Sequence, residues 1–407
     1  QVVLREVPDY VISVLDTDDG TQYDEACDQL RDRLSQRVPD PTQWPLIDIQ
    51  AVRSPGRTRI AFSFDYIVVD ALSIVTIFGQ LSALYLDPAH QLPDTRTTFR
   101  DYVIQAHPAQ EERDAAFEYW QDRLKTLPVG PRLPLAQNPA DISSPRFNRR
   151  LARLEENTWQ ALQERARNEG VTPSAVLAAA YVETLRAWSE DPDLSIVLTL
   201  FDRRPVASDI SDVIGDFTSL LVVGAEEPDH PGWTHRVRSL QAEMWAGMEH
   251  RAFGAIEVLR ELGRREDEGG LVGIPVVFTS ALGLSDEVTS MTASFGQQIW
   301  GISQTPQVWL DNQVMERDRG LSINWDSVDA LFPDGVLDAM FQAYLDLLVA
   351  ISSQPWETLD PDLTPTQQLT HRAHAVYSGD GRPEGADSTR LHEGFFLPAA
   401  TNPDRPA

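Results

Sequence analysis

The side chains in this sequence best placed to do chemistry are aspartates. Asp311 closes the apolar run Pro306-Gln307-Val308-Trp309-Leu310. A carboxyl partly buried at the end of such a run keeps its proton to higher pH than one in water, because burial penalises the charged form. A carboxyl tuned that way can accept and return a proton near neutrality. The same residue, followed by Asn312, also suits the turn that opens where a strand ends, and on the residues alone both readings stand. A second constellation is Asp65-Tyr66-Ile67-Val68-Val69-Asp70-Ala71-Leu72-Ser73, a strand running through a loop into a helix. Asp70 or Ser73 there is an ordinary helix cap, its oxygen serving backbone N–H groups that have no helical partner. Asp65 is placed to pair with an arginine. His371 and His374 lack further ligands nearby and read as solvated polar residues rather than a metal pair. No phosphate-cradling glycine loop and no nucleophile elbow occur.

These residues need elements to carry them. Residues 1–15 alternate in part as a strand does, with Gln1–Val7 reading as a strand already in progress, and Arg59–Phe64 is strand-like. Asp24–Arg37, Leu72–Tyr85 and Glu111–Leu127 carry apolar residues at helical spacing. Proline-rich Leu127–Pro145 cannot continue a helix and marks a lobe boundary. The pattern then restarts. Strands are expected at Phe147–Leu154, Leu194–Phe201, Phe217–Val223, Ile274–Thr279, Pro306–Asp311 and Leu321–Trp325. Helices are expected at Asn157–Asn168, from Thr172-Pro173 through Trp188, at His235–His250 and Phe253–Arg264, and at Gly335–Ser352. Thr172 supplies the cap and Pro173 the first helical position. Trp159 and Trp188 are read as core. Two successive blocks of interleaved helices and strands mean an α/β protein of two lobes.

The chain has 407 residues, with 62 acidic side chains against 34 Lys and Arg and a net charge of −28. That excess argues against nucleic acid as the main partner, since phosphate binding relies on clustered Lys and Arg. No apolar stretch approaches the roughly 20 residues of a membrane helix, so no membrane is expected. A single cysteine, Cys27, excludes a disulfide framework and points to a reducing, cytoplasmic setting.

The stretch Asp65–Ser73 resembles the D-x-x-x-x-D-x-x-S signature of heterocyclisation domains, a branch of the condensation-domain family of nonribosomal peptide synthetases. Ordinary condensation domains carry two histidines where this chain has Asp65 and Tyr66, so a mechanism resting on the second histidine is not available here. The glycine position of that signature holds Ala71. Four further blocks follow in family order: Gly215-Asp216-Phe217-Thr218-Ser219-Leu220-Leu221, Pro275-Val276-Val277-Phe278-Thr279-Ser280, Ser303-Gln304-Thr305-Pro306-Gln307-Val308-Trp309-Leu310-Asp311, and Asn324-Trp325-Asp326 with Leu331-Phe332-Pro333. The resemblance covers about residues 1–355, with the family's opening segment missing.

The resemblance implies two lobes like chloramphenicol acetyltransferase, set as a V-shaped pseudo-dimer with a central tunnel. The lobes fall at 1–135 and 146–355, followed by a linker at 356–390. Residues 391–407 resemble the start of an adenylation domain. It implies condensation of a carrier-bound Cys, Ser or Thr with an upstream acyl or peptidyl thioester, then cyclodehydration to a thiazoline or oxazoline, as in antibiotic and siderophore biosynthesis. The domain itself would bind no cofactor and no metal. Its substrates would ride on the phosphopantetheine arms of upstream and downstream carrier proteins, with the adenylation domain as neighbour. In the family, cyclodehydration falls on the positions of Asp311 and Thr279, which makes Asp311 the proton shuttle and Thr279 the hydroxyl that orients it. For Thr279 the plain strand-threonine reading competes. Asp65, Asp70 and Ser73 are architectural, with Asp70 paired to Arg203 from the other lobe. Phe201-Asp202-Arg203 stands where the family often has Phe-Asn-Arg, which leaves the role of Asp202 open. Ser303, Gln304 and Gln307, with Asp202, are placed as tunnel lining, and a plain loop suits the first three equally well. The competing reading is a catalytically silent, condensation-like module that docks carrier proteins or a tailoring enzyme.

Overall fold

A computed structural model describes residues 4–18, 20–227, 232–265, 273–283, 294–305, 307–359 and 363. Residues 1–361 form one compact unit. The second unit, 362–407, lies outside the described residues apart from Leu363, and with it lie most of the expected linker, the expected start of the next domain, His371 and His374.

The first half builds a three-stranded sheet from β1 (Ser13–Asp16), β2 (Ile47–Ser54) and β3 (Arg57–Phe64), in the order β1-β2-β3. β1 runs parallel to β2, and β2 antiparallel to β3. The turn between β2 and β3 is Pro55-Gly56, with Gly56 at φ 80°, which is the conformation a type II turn asks of its third residue. Helix α1 (Gly20–Leu34) packs Tyr23, Ala26, Cys27 and Leu30 onto Val52. Helices α2 (Ala71–Leu86), α3 (Phe99–Gln105) and α4 (Gln110–Arg123) follow. Between α4 and residue 148 the only regular piece is a 3-10 turn at Pro139–Asp141, as the prolines require.

The second half is a six-stranded sheet of β4 (Asn148–Leu154), β5 (Leu194–Phe201), β6 (Thr218–Ala225), β7 (Val276–Ala281), β8 (Leu310–Arg317) and β9 (Gly320–Ser327), in the order β4-β9-β8-β7-β5-β6. β7 is parallel to both its neighbours and the remaining pairs are antiparallel. The helices are α5 (Glu156–Asn168), α6 (Pro173–Trp188), α7 (Trp233–Glu249), α8 (Ala255–Arg265) and α9 (Val336–Ser353). Every residue of α6 from Ala175 to Leu185 is buried, as in a core helix, with Glu183 paired to Arg186 and Arg236. Its N-terminus is capped by Thr172 Oγ1, which accepts from the Ala175 N–H at 3.2 Å. Tyr181 from α6, Trp325 from β9 and Tyr344 from α9 pack edge-on or tilted with centroids 5.6–6.3 Å apart. Each such pair contributes about 0.5–1.5 kcal/mol beyond its buried area. α9 is long and apolar enough to cross a membrane by length and composition, yet it lays Leu337, Met340, Tyr344, Leu348 and Ile351 into this core.

Three expectations need correction, and two elements lie beyond them. The opening strand is at Ser13–Asp16 and not at 4–7, where the described residues are irregular. β2 and α3 were not foreseen. β2 mixes Asp48 and Gln50 among its apolar residues, and α3, at seven residues, is too short to show a period. The strand expected at Pro306–Asp311 is instead Leu310–Arg317, so Asp311 stands at the beginning of a strand rather than at its end. Its polar residues Asp311 and Gln313 sit on one face while Leu310, Asn312 and Val314 are buried on the other, and this polar start hid the strand. Gly335, taken as the first residue of the last helix, is its N-cap, at φ 80°.

Candidate active site

The two sheets are joined at a polar seam. Asp70 caps α2, its Oδ1 accepting the Ser73 N–H at 2.7 Å. Arg203, just past the end of β5, reaches over and donates from Nη2 to the same Asp70 oxygen and to Ser73 Oγ, each at 2.9 Å. Ser73 Oγ donates to the Gly215 carbonyl at 2.8 Å, and the Asp70 N–H donates to that carbonyl at 3.0 Å. Asp70 and Ser73 are wholly buried, and the Arg203 side chain is 9 % exposed. The guanidinium is fixed further by donating from Nη1 to the carbonyls of Ser211 and Val213, both at 3.0 Å, and lies 4.2 Å over the Phe217 ring. Gly215 has no substitute here, since a Cβ would lie 2.3 Å from the Phe99 ring. Asp65 stays local: its Oδ1 accepts the Ile67 N–H at 3.0 Å and so closes the turn before α2.

The second cluster lies on one face of the larger sheet. Strand register sets Asp311 opposite Asp326, and Asp326 opposite Arg149, so all three share that face. Gln313, two residues beyond Asp311, shares it too. Thr279 pairs in register with Gln313 on one side and Thr199 on the other. Thr279 Oγ1 lies 3.3 Å from Asp311 Oδ1 and 3.0 Å from Thr199 Oγ1. Gln313 Nε2 donates to Asp311 Oδ2 at 2.6 Å. Arg149 clamps Asp326 from Nε at 2.7 Å and from Nη2 at 2.5 Å. The Ser303 N–H donates to Asp326 Oδ2 at 2.8 Å.

Burial dominates the electrostatics. It pushes the Asp311 carboxyl up from 3.8 to about 7; the neighbouring Asp326 charge adds to this, and the bonds from Gln313 and Thr279 and the Arg149 charge oppose it. A carboxyl at that value is present in both forms near neutral pH, as a general acid–base requires. Tyr66 joins the cluster from the loop after β3. Its hydroxyl bonds with Ser303 and feels the charges of Asp311, Arg149 and Asp326, and burial pushes its phenol up, so it stays protonated. The residue is nevertheless 45 % exposed, which places it against solvent beside the cluster.

Of the residues singled out in the sequence, Asp70, Ser73 and Arg203 meet at the seam, and Asp311 and Thr279 meet on the sheet face. Ser303 reaches the second cluster through its backbone N–H to Asp326 and through its bond with Tyr66. Gln304 instead donates to the Ser35 carbonyl. Asp202 is tied to Arg251 at 2.9 Å, and Gln307 is exposed. Sequence reasoning missed Gln313, Arg149, Asp326, Thr199 and Tyr66 as partners of Asp311. Only Gln313 left a signal, the two-residue spacing from Asp311; the others become neighbours through strand pairing. Among the described residues no group of three His, Cys, Asp or Glu side chains could hold a metal ion.

A family profile described as the condensation domain matches residues 1–370. The chain is 37 % identical over 359 residues to phenyloxazoline synthase MbtB of Mycolicibacterium paratuberculosis, covering 86 % of this chain and 30 % of that protein. It is 33 % identical over 388 residues to pyochelin synthetase PchF of Pseudomonas aeruginosa, covering 92 % of this chain and 21 % of that one. The chain thus spans less than a third of these relatives. Among solved structures, the EpoB NRPS cyclization-docking bidomain from Sorangium cellulosum superposes with a TM-score of 0.80 at 33 % identity, over 88 % of this chain and 73 % of that chain.

Proposed function

The chain belongs to the condensation-domain family, and from that premise we propose that it is a heterocyclisation domain of a nonribosomal peptide synthetase. It joins a carrier-bound Cys, Ser or Thr to an upstream carrier-bound acyl or peptidyl thioester, then closes the product to a thiazoline or oxazoline. The observation that carries this reading is the half-buried Asp311 carboxyl held between Thr279 and Gln313, where burial raises its titration to about 7. The likeness to MbtB, PchF and the EpoB bidomain supports it.

The first stage displaces the thioester sulfur with the amine and leaves an amide. In the second, the side-chain thiol or hydroxyl attacks the amide carbon. One proton leaves the attacking atom, another leaves the amide nitrogen, and both finish on the departing oxygen as water. Holding the reacting atoms together supplies much of the rate, with effective molarities of about 10⁵–10⁸ M in well-oriented cases. Moving the protons supplies a further ~10²–10⁴-fold. Ionised Asp311 takes the proton from the attacking group, and its acid form returns one to the leaving oxygen. Thr279 has one hydroxyl proton and two acceptors in reach. It donates to Asp311 when that group is ionised, and turns to Thr199 when Asp311 carries the proton. Asp65, Asp70, Ser73 and Arg203 hold the seam and transfer nothing. On this reading the two lobes, 1–135 and 146–355, hold the site between carriers that deliver phosphopantetheine arms from opposite sides. An adenylation domain is the expected neighbour, and a reducing cytoplasm suits the lone thiol of Cys27.

The test is reconstitution of the chain with an upstream acyl carrier and a downstream carrier loaded in turn with Cys, Ser and Thr, with products weighed over time. Amide followed by loss of one water is expected with at least one of the three. No product with any of them would make the chain a silent docking module instead.

A further inference from the structure

Gln313 has more partners than a surface amide needs. Its Nε2 donates to Asp311 Oδ2 at 2.6 Å and lies 3.3 Å from Asp326 Oδ2, while its Oε1 accepts from Arg149 Nη2 at 3.1 Å. Two carboxylates therefore face the amide nitrogen and a guanidinium faces the oxygen. Turning the amide over would set its oxygen against both carboxylates and its N–H groups against the guanidinium, so one orientation is enforced. Arg149 cannot follow such a turn, because Asp326 holds it through two bonds and is itself wholly buried. An N–H donated to Asp311 Oδ2 is stronger when that oxygen is the carbonyl one, because a carboxylic hydroxyl oxygen is the weaker acceptor. The proton of the acid form is therefore favoured on Oδ1, the oxygen beside Thr279.

We propose that Gln313 is a positioning residue for ring closure: it selects the Asp311 oxygen that carries the transferred proton, and the Arg149–Asp326 pair holds the Gln313 amide in the orientation that does so. This rests on Asp311 being the proton carrier. A polar ladder that only stitched strands together would need no such agreement among amide orientation, ion pair and carboxyl.

The consequence is a pH dependence. The charged and titratable groups facing Asp311 are Asp326 on β9, Arg149 on β4, Tyr66 on the loop after β3 and Tyr181 on α6. Burial keeps both phenols protonated through the neutral range. A hydrogen bond donated to a carboxylate favours its ionised form. Losing the Gln313 donor therefore moves the Asp311 titration to higher pH. The matching limb of the ring-closure profile moves with it, by about one pH unit for one charge-assisted bond.

Water loss from a preformed carrier-bound amide is followed across neutral pH for the parent chain, Gln313→Met, Gln313→Glu and Asp311→Asn. The limb is expected to move to higher pH in both Gln313 variants, since Glu replaces the donor with a third carboxylate of equal size. A limb that stays in place in the variants overturns the proposal. If Gln313→Met does not fold, as its thermal unfolding reveals, the isosteric Glu variant decides. The Asp311→Asn arm separates the two claims: ring formation there at the parent rate sinks the proton-carrier reading, whereas its failure to cyclise beside an unmoved Gln313 limb sinks this inference alone.

Discussion

At the scale of residues, the account depends on one carboxyl and the groups that tune it. Asp311 sits where burial and the Asp326 charge raise its titration while Gln313, Thr279 and Arg149 lower it, with burial the largest influence. The same imbalance appears in stability. An acid whose folded titration lies above its unfolded one binds more protons when folded. Its folded state therefore loses stability as pH rises from near 3.8 towards about 7, and the loss levels off beyond. At about 1.4 kcal/mol per pH unit, that span sets a ceiling of roughly 4 kcal/mol. Asp311→Asn, which cannot ionise, should therefore match the parent near pH 4 and unfold at clearly higher denaturant above pH 7. Equal midpoints at both pH values would mean that Asp311 is not strained by its site. Asp311 and Thr279 were both singled out in the sequence, and the structure sets Thr279 Oγ1 3.3 Å from Asp311 Oδ1. Burial raises the Asp311 titration as its apolar surroundings suggested, but it does so at the start of a strand and not at the end of one. Arg149, Asp326 and Thr199 could not be read beforehand, because nothing local to each sets it beside Asp311 until β4, β9 and β5 take their places in the sheet.

At the scale of elements, the seam is what fixes the loop before α2 to the larger sheet. Asp70 serves at once as helix cap and as partner of Arg203, and both are buried. Removing one member of a buried pair leaves an uncompensated charge and costs roughly 3–5 kcal/mol. Arg203→Ala should lower stability by about that amount in urea unfolding. The double variant Asp70→Asn with Arg203→Met should recover part of it, because neither charge then remains. A double variant no better than the sum of its single changes would mean the two residues are not coupled. Much of this level was visible beforehand. Thr172-Pro173 marked the start of α6, and the Asp70–Arg203 pair was expected. The elements that escaped notice, β2, α3 and the true extent of β8, are those that are short or mix polar residues into a buried face. There the period that betrays an element is broken by the side chains that do its work.

At the scale of the molecule, two sheets within one compact unit bring a loop from the first half and a sheet face from the second to the same place. Tyr66 and Ser303, from opposite halves, bond beside Asp311. That convergence suits the proposed reaction of two tethered substrates, since neither half alone supplies both the loop and the carboxyl. The α/β class and the order of the blocks were readable from sequence, because each half repeats its own alternation of helix and strand. The measurement that bears most directly on the whole account is the product of a single turnover by Asp311→Asn, supplied with both loaded carriers and weighed over time. The account predicts that amide appears and persists without losing water. Ring formation at the parent rate would contradict it.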